Sequence, residues 1–161
     1  MTKLNLLLIF FLVTIAGCAS QPVIDSANYD TSVLPNEVTE NIGDYTEQAV
    51  IWGGVIVGLA NQTGGTQLEI LAYPLDSEQR PVASDQSIGR FLIVTNAFLE
   101  PVDYTAGKLI TASGQISGVS PGKIGQASID YPVLRSDQMH LWSKRSNRIK
   151  PVFGIGVSFG F

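Results

Sequence analysis

From Gln48 to Asn61 apolar side chains fill both phases of a period-two pattern, with Ala49, Ile51, Val55, Val57 and Leu59 on one face and Val50, Trp52, Ile56 and Ala60 on the other. A strand buried on both sides carries such a pattern, and Gly53-Gly54 in its middle is a place to bend. Asn61-Gln62-Thr63-Gly64-Gly65 reads as a hairpin turn into a second strand, Thr66–Tyr73, with Leu68, Ile70 and Ala72 on one face. The first two strands are expected to pair. Pro74-Leu75-Asp76 opens a polar loop that runs to Ser87, and Gly89–Thr95 forms a third strand. Residues 96–107, with Pro101, Asp103, Tyr104 and Gly107, suit a turn or one helical turn.

Lys108–Gly118 alternates most plainly: Ile110, Ala112, Gly114 and Ile116 face inward, while Leu109, Thr111, Ser113, Gln115 and Ser117 face mostly outward. Ser120-Pro121-Gly122-Lys123 then predicts a turn into a fifth strand, Gln126–Leu134, and Pro132 places that strand, or its end, at an edge. A long bent first strand, a hairpin and an irregular link between strands three and four predict an all-β domain over residues 48–142. The expected fold is a small OB-like, partly open barrel of five to six strands.

The flanks differ in kind. Residues 1–17 have one positive charge at Lys3, a mainly apolar stretch from Leu4 to Ile15 and small residues before Cys18, the layout of a secretory signal peptide. The apolar stretch falls short of the roughly 20 residues that span a bilayer. Ile15-Ala16-Gly17-Cys18 resembles the lipobox of bacterial lipoproteins, in which the thiol takes a diacylglyceryl group and becomes the mature N-terminus. Ala19 and Ser20 follow, and no Asp stands after the cysteine to favour inner-membrane retention, so the outer membrane is the expected destination. Residues 18–47 are polar and broken by Pro22, Pro35 and Gly43; they read as a lipidated N-terminus and flexible tether with at most one docked segment. Such a coil has an r.m.s. reach of roughly 25–30 Å.

Residues 143–161 hold two features. Lys144, Arg145, Arg148 and Lys150 form a basic cluster suited to anionic lipid headgroups or simply to solvent. Phe153, Ile155, Val157, Phe159 and Phe161 alternate with Gly154, Gly156, Ser158 and Gly160, a pattern that adds a strand, meets membrane, or marks an accessory subunit of a membrane barrel assembly.

Several separate blocks occur in an order that resembles the Slp family of starvation-associated outer-membrane lipoproteins. They include Trp52-Gly53-Gly54-Val55-Ile56, Leu68-Glu69-Ile70-Leu71, Tyr73-Pro74-Leu75-Asp76 and Gly89-Arg90-Phe91-Leu92. Further blocks are Phe98 to Tyr104, Ile110 to Ile116, Tyr131-Pro132-Val133 and His140-Leu141-Trp142. The resemblance implies an outer-membrane lipoprotein and a link to starvation or stress, without implying a molecular activity.

Charge and chemistry narrow the picture. Of 10 basic and 14 acidic residues only Lys3 is lost with the leader, so the mature chain is acidic. That balance disfavours nucleic acid as a partner, since such binding draws on many phosphate-neutralising lysines and arginines. With His140 the only histidine and Cys18 the only cysteine, no histidine-based metal cluster or thiol site is expected, and no cofactor is implied. Asp76, Glu78, Asp85 and Asp103 show no spacing that sets two carboxylates across a cleft, and the aspartates suit turn chemistry. A non-enzymatic module is therefore expected, held to the membrane on the periplasmic face by its lipid and open to an envelope protein or glycan partner. Trp52, Tyr104, Tyr131 and Trp142 are candidates for a stacking rim around a ligand. Arg90 is a candidate contact or the partner of Asp76 or Asp103.

Overall fold

The computed structural model describes residues 21–143. Five strands, β1 (Ala49–Gln62), β2 (Gly65–Ala72), β3 (Arg90–Thr95), β4 (Leu109–Ile124) and β5 (Ala127–Leu141), form a ring in the order β1-β2-β3-β5-β4. Neighbours are antiparallel except β3 and β5, which run parallel over Leu92↔Val133, Ile93↔Leu134 and Val94↔Arg135. This is a five-stranded barrel of the OB type. The opening anticipated in the ring is spanned by those three residue pairs, which begin just after Pro132, where the chain lacks an N–H to donate.

The bend in β1 has a steric cause. Residues 49–55 pair with β4 and residues 54–62 with β2, so the strand changes partners at Gly53-Gly54. A Cβ on Gly54 would stand 2.0 Å from the Leu71 carbonyl oxygen, and one on Gly53 would stand 2.8 Å from that of Ile110. Inside the ring lie Val50, Trp52, Ile56, Leu68, Ile70 and Phe91, closed off by Ile110, Ile116 and Leu134.

Three expectations need correction. The turn placed at Ser120-Pro121-Gly122-Lys123 lies inside β4, whose ladder with β5 continues to Ile124↔Ala127. Gly125 (φ +59°) makes the true turn. Pro121 is tolerated because β4 pairs with β1 only up to Gln115, so beyond it the two strands form a free-standing ribbon. Gly122 is needed there because the Tyr131 ring covers it; a Cβ would fall 1.9 Å from Tyr131 Cε2. The fifth strand also runs on past Leu134 to Leu141.

Second, residues 21–47 are docked rather than a free tether. Asp30 makes a parallel bridge to Val50, with the Asp30 N–H donating to Ala49 and the Ile51 N–H donating to Asp30. Two short helices follow, α1 (Pro35–Glu40) and α2 (Ile42–Tyr45). Pro35 opens α1, where its missing N–H costs nothing, and the Glu37 carboxylate reaches back to the Leu34 N–H at 3.0 Å. Ile24, Val33 and Val38 are buried, so a few irregularly spaced aliphatics dock a segment whose other side chains are polar. Third, Thr111 and Ser113 were expected to face mostly outward but are fully buried, Thr111 beneath the loop that follows β2.

Candidate functional site

The expected aromatic rim does not assemble. Trp52 is 3% exposed, meets Phe91 edge to face at 5.1 Å and donates its indole N–H to the Val33 carbonyl at 2.8 Å. It is a core residue that pins the docked segment, and it also lines the cleft between that segment and the loop after β2. Tyr104 packs against the core from the turn before β4. Trp142 lies just past the end of β5, with its own set of partners.

Arg90 and Tyr131 do come together, through a residue the sequence did not single out. Leu68, Ile70 and Ala72 point into the core, so Glu69 projects outward from β2. Arg90 opposes Leu71 in the next strand, which puts Glu69 diagonally across from it. The Arg90 guanidinium meets Glu69 Oε1 at 2.5 Å, and the Tyr131 hydroxyl donates to the same oxygen at 3.2 Å. The partner of Arg90 is therefore Glu69, not Asp76 or Asp103. Burial, and after it the Glu69 carboxylate, push the Tyr131 phenol up from its ordinary range and keep it a donor. A lone carboxylate at an outward position of a strand whose neighbour begins with Arg was the available signal.

Arg90 lines an open groove of about 520 Å³. Asn36, Thr39 and Glu40 of α1 form one wall, Leu71 and Gly89 are part of the floor, and Ile124, Ile129 and Asp130 of the ribbon form the other wall. Its one arginine is already paired with Glu69, and Glu40 and Asp130 in its walls are acidic. Such a surface suits a neutral, hydroxyl-rich or partly apolar ligand better than a polyanion.

A second cleft, of about 490 Å³, lies between the docked segment and the loop after β2, with Pro22, Leu34, Ile51, Tyr73, Leu75 and Ile88 among its walls. Gln79 beside it has the left-handed φ of +65° and is buried. Its side-chain oxygen accepts from the Ile24 N–H at 2.8 Å, and its amide nitrogen donates to the Ile24 carbonyl at 2.9 Å. The Gln79 carbonyl accepts from the Thr111 hydroxyl at 2.6 Å, and that hydroxyl accepts from the Trp142 indole N–H at 2.9 Å. Arg80 stacks over the Trp142 ring at 4.9 Å and donates to the Ser143 carbonyl at 3.1 Å. The Asp76 carboxylate shapes the turn by accepting from the Glu78 and Arg80 N–H groups, each at 2.9 Å. One short turn thus fastens both ends of the described chain. Cys18, Lys144, Arg145, Arg148, Lys150 and the alternating segment 152–161 lie outside the described residues.

Several known proteins are similar to this chain in sequence. An uncharacterized lipoprotein of Escherichia coli strain K12, YeaY, is 33% identical over 145 residues, covering 88% of this chain and 73% of that protein. The outer membrane protein Slp of the same strain is 29% identical over 133 residues, 81% and 70% of the two chains. Among solved structures, the yeast mitochondrial single-stranded DNA binding protein Rim1 aligns with a TM-score of 0.36 at 15% identity, over 61% of this chain and 95% of its own, a likeness too slight to carry an argument. The outer membrane lipoprotein Slp family model matches residues 15–155, from just before Cys18 to beyond the barrel, and the chain belongs to that family.

Proposed function

We propose that the protein is an outer-membrane lipoprotein anchored through Cys18, whose barrel serves as a non-enzymatic structural and interaction module on the periplasmic face, with a role in starvation or stress. The observation that carries this reading is the extent of the family match, which includes Cys18 and the small residues before it together with the whole barrel. Two or more acyl chains on that cysteine suffice for stable anchoring, where one would hold only marginally. The test is fractionation of cells fed a labelled fatty acid. The native chain should carry label and sediment with the outer membrane, and Cys18→Ser should do neither; an unlabelled native chain in the soluble fraction sinks the proposal.

A second reading places a glycan or another neutral envelope component in the groove beside Arg90. It is supported by an open surface whose one arginine is paired with Glu69, the carboxylate that the Tyr131 hydroxyl also bonds. Titration with peptidoglycan fragments should then show saturable binding that Arg90→Ala and Tyr131→Phe weaken while the domain stays folded. Unchanged binding in both variants removes this reading.

A further inference from the structure

We infer that the barrel end carrying Gln79, Arg80 and Trp142 faces the bilayer, on a leash of only a few residues. The inference rests on the Cys18 anchor proposed above and adds the surface that meets the lipid. Ile24 is clasped by the Gln79 side chain at both its N–H and its carbonyl. Six residue steps separate it from Cys18. At about 3.3–3.6 Å per fully extended residue they span at most roughly 20 Å. A free tether from Cys18 to Thr46 would allow several times that contour length; docking removes nearly all of it.

The other end of the described chain leaves from the same place. Trp142 is bonded to Thr111, which is bonded to Gln79, and Arg80 holds the Ser143 carbonyl. Lys144 and Arg145 come next in sequence, with Arg148 and Lys150 close behind. The turn that clasps Ile24, six positions after the proposed lipid site, also holds the last described residues, and four cations follow those in sequence. The exposed chemistry of that end fits a headgroup layer. Trp142 is partly exposed, with Arg80 over its ring, and aromatic rings with long cationic side chains settle where apolar tails meet water. The nearby carboxylates of Asp25 and Asp76 each give an oxygen to backbone N–H groups of their own turns. At the far end of β5 is the ribbon tip, Gly125-Gln126, separated from Trp142 by roughly 50 Å of strand path at about 3.3 Å per residue.

In the matured protein Cys18 is consumed by lipid, so an introduced thiol is unique. Ser77→Cys and Gln126→Cys, both at exposed positions, receive a fluorophore in the full lipidated chain bound to vesicles of phosphatidylethanolamine and phosphatidylglycerol that carry headgroup nitroxides. The label at residue 77 should lose most of its emission and the label at residue 126 should keep it. Adding Gln79→Ala to Ser77→Cys should restore emission while the protein still floats with the vesicles, because the leash lengthens. Flotation with equal quenching at both sites, or stronger quenching at residue 126, overturns the inference and leaves the anchor standing. Failure of the native chain to float overturns both.

Discussion

Replacing Gln79 by Ala tests the fastening of the N-terminal segment most directly. The side chain satisfies both backbone groups of Ile24, a residue 3% exposed, so its removal leaves a donor and an acceptor in a site that water reaches poorly. Each buried group left without a partner costs about 1–3 kcal/mol. The loss is bounded from above, since the segment can let Ile24 go and forfeit instead the roughly 1.5–3 kcal/mol that burial of an isoleucine contributes. A net cost of about 2–3 kcal/mol follows from these two limits. Gln79→Gly removes the same amide but relieves the left-handed backbone, which costs a residue with a Cβ about 1–2 kcal/mol, so Gly should be less damaging than Ala by about that amount. Urea unfolding of the unlipidated mature chain gives the stability, and hydrogen exchange at the Ile24 amide shows whether the loss is local. A cost below about 0.5 kcal/mol with Ile24 still protected, or a glycine variant worse than alanine, would refute the clasp as a stabilising device.

Four other outcomes are expected. Gly54→Ala should cost at least about 3 kcal/mol in urea unfolding, because its methyl would overlap the Leu71 carbonyl, whereas Gly43→Ala, with nothing within 4 Å, should be neutral or slightly stabilising. Arg90→Ala should cost only about 0.5–1 kcal/mol, and less at high salt, since its pair with Glu69 is about a quarter exposed. Ser113→Ala should leave stability unchanged or raise it by up to about 1 kcal/mol, because the buried hydroxyl has no partner among the described residues; a clear loss on thermal melting would contradict this. Tyr131 has its phenol pKa raised by folding, so its contribution is complete below the unfolded value of about 10 and is lost as pH climbs through the higher folded value. The urea midpoint should therefore fall on the alkaline side, and Tyr131→Phe should flatten that fall.

The barrel was legible because its signals are local. Leu68, Ile70 and Ala72 alternate without interruption, and the glycine pair in β1 marks the change of partners. The ribbon is hidden in the sequence because Ser-Pro-Gly-Lys is turn chemistry in most settings, and nothing nearby says that Tyr131 will lie over Gly122. The docked N-terminus was hidden for a related reason. Ile24 is held by Gln79, 55 positions away, and Val33 by Trp52, 19 positions away, so no window of neighbouring residues contains both partners. The same separation explains the site. Arg90 and Tyr131 stood out singly by residue type, but Glu69, which joins them, becomes visible only with strand register. For Trp52 the sequence is ambiguous, because an aromatic residue in a two-sided strand has the same pattern in a core as on a rim.

The docking of residues 21–47 also determines how the molecule bears load. A slack spacer between lipid and globule would take up a pull on the acyl chains by uncoiling, as a spring does. Here tension on the N-terminus arrives almost at once at the Gln79 clasp and, through Thr111, at the wall of the barrel itself. If Cys18 carries the lipid anchor proposed above, shear at the membrane or a pull on the lipid would load folded structure from the Gln79 clasp onward.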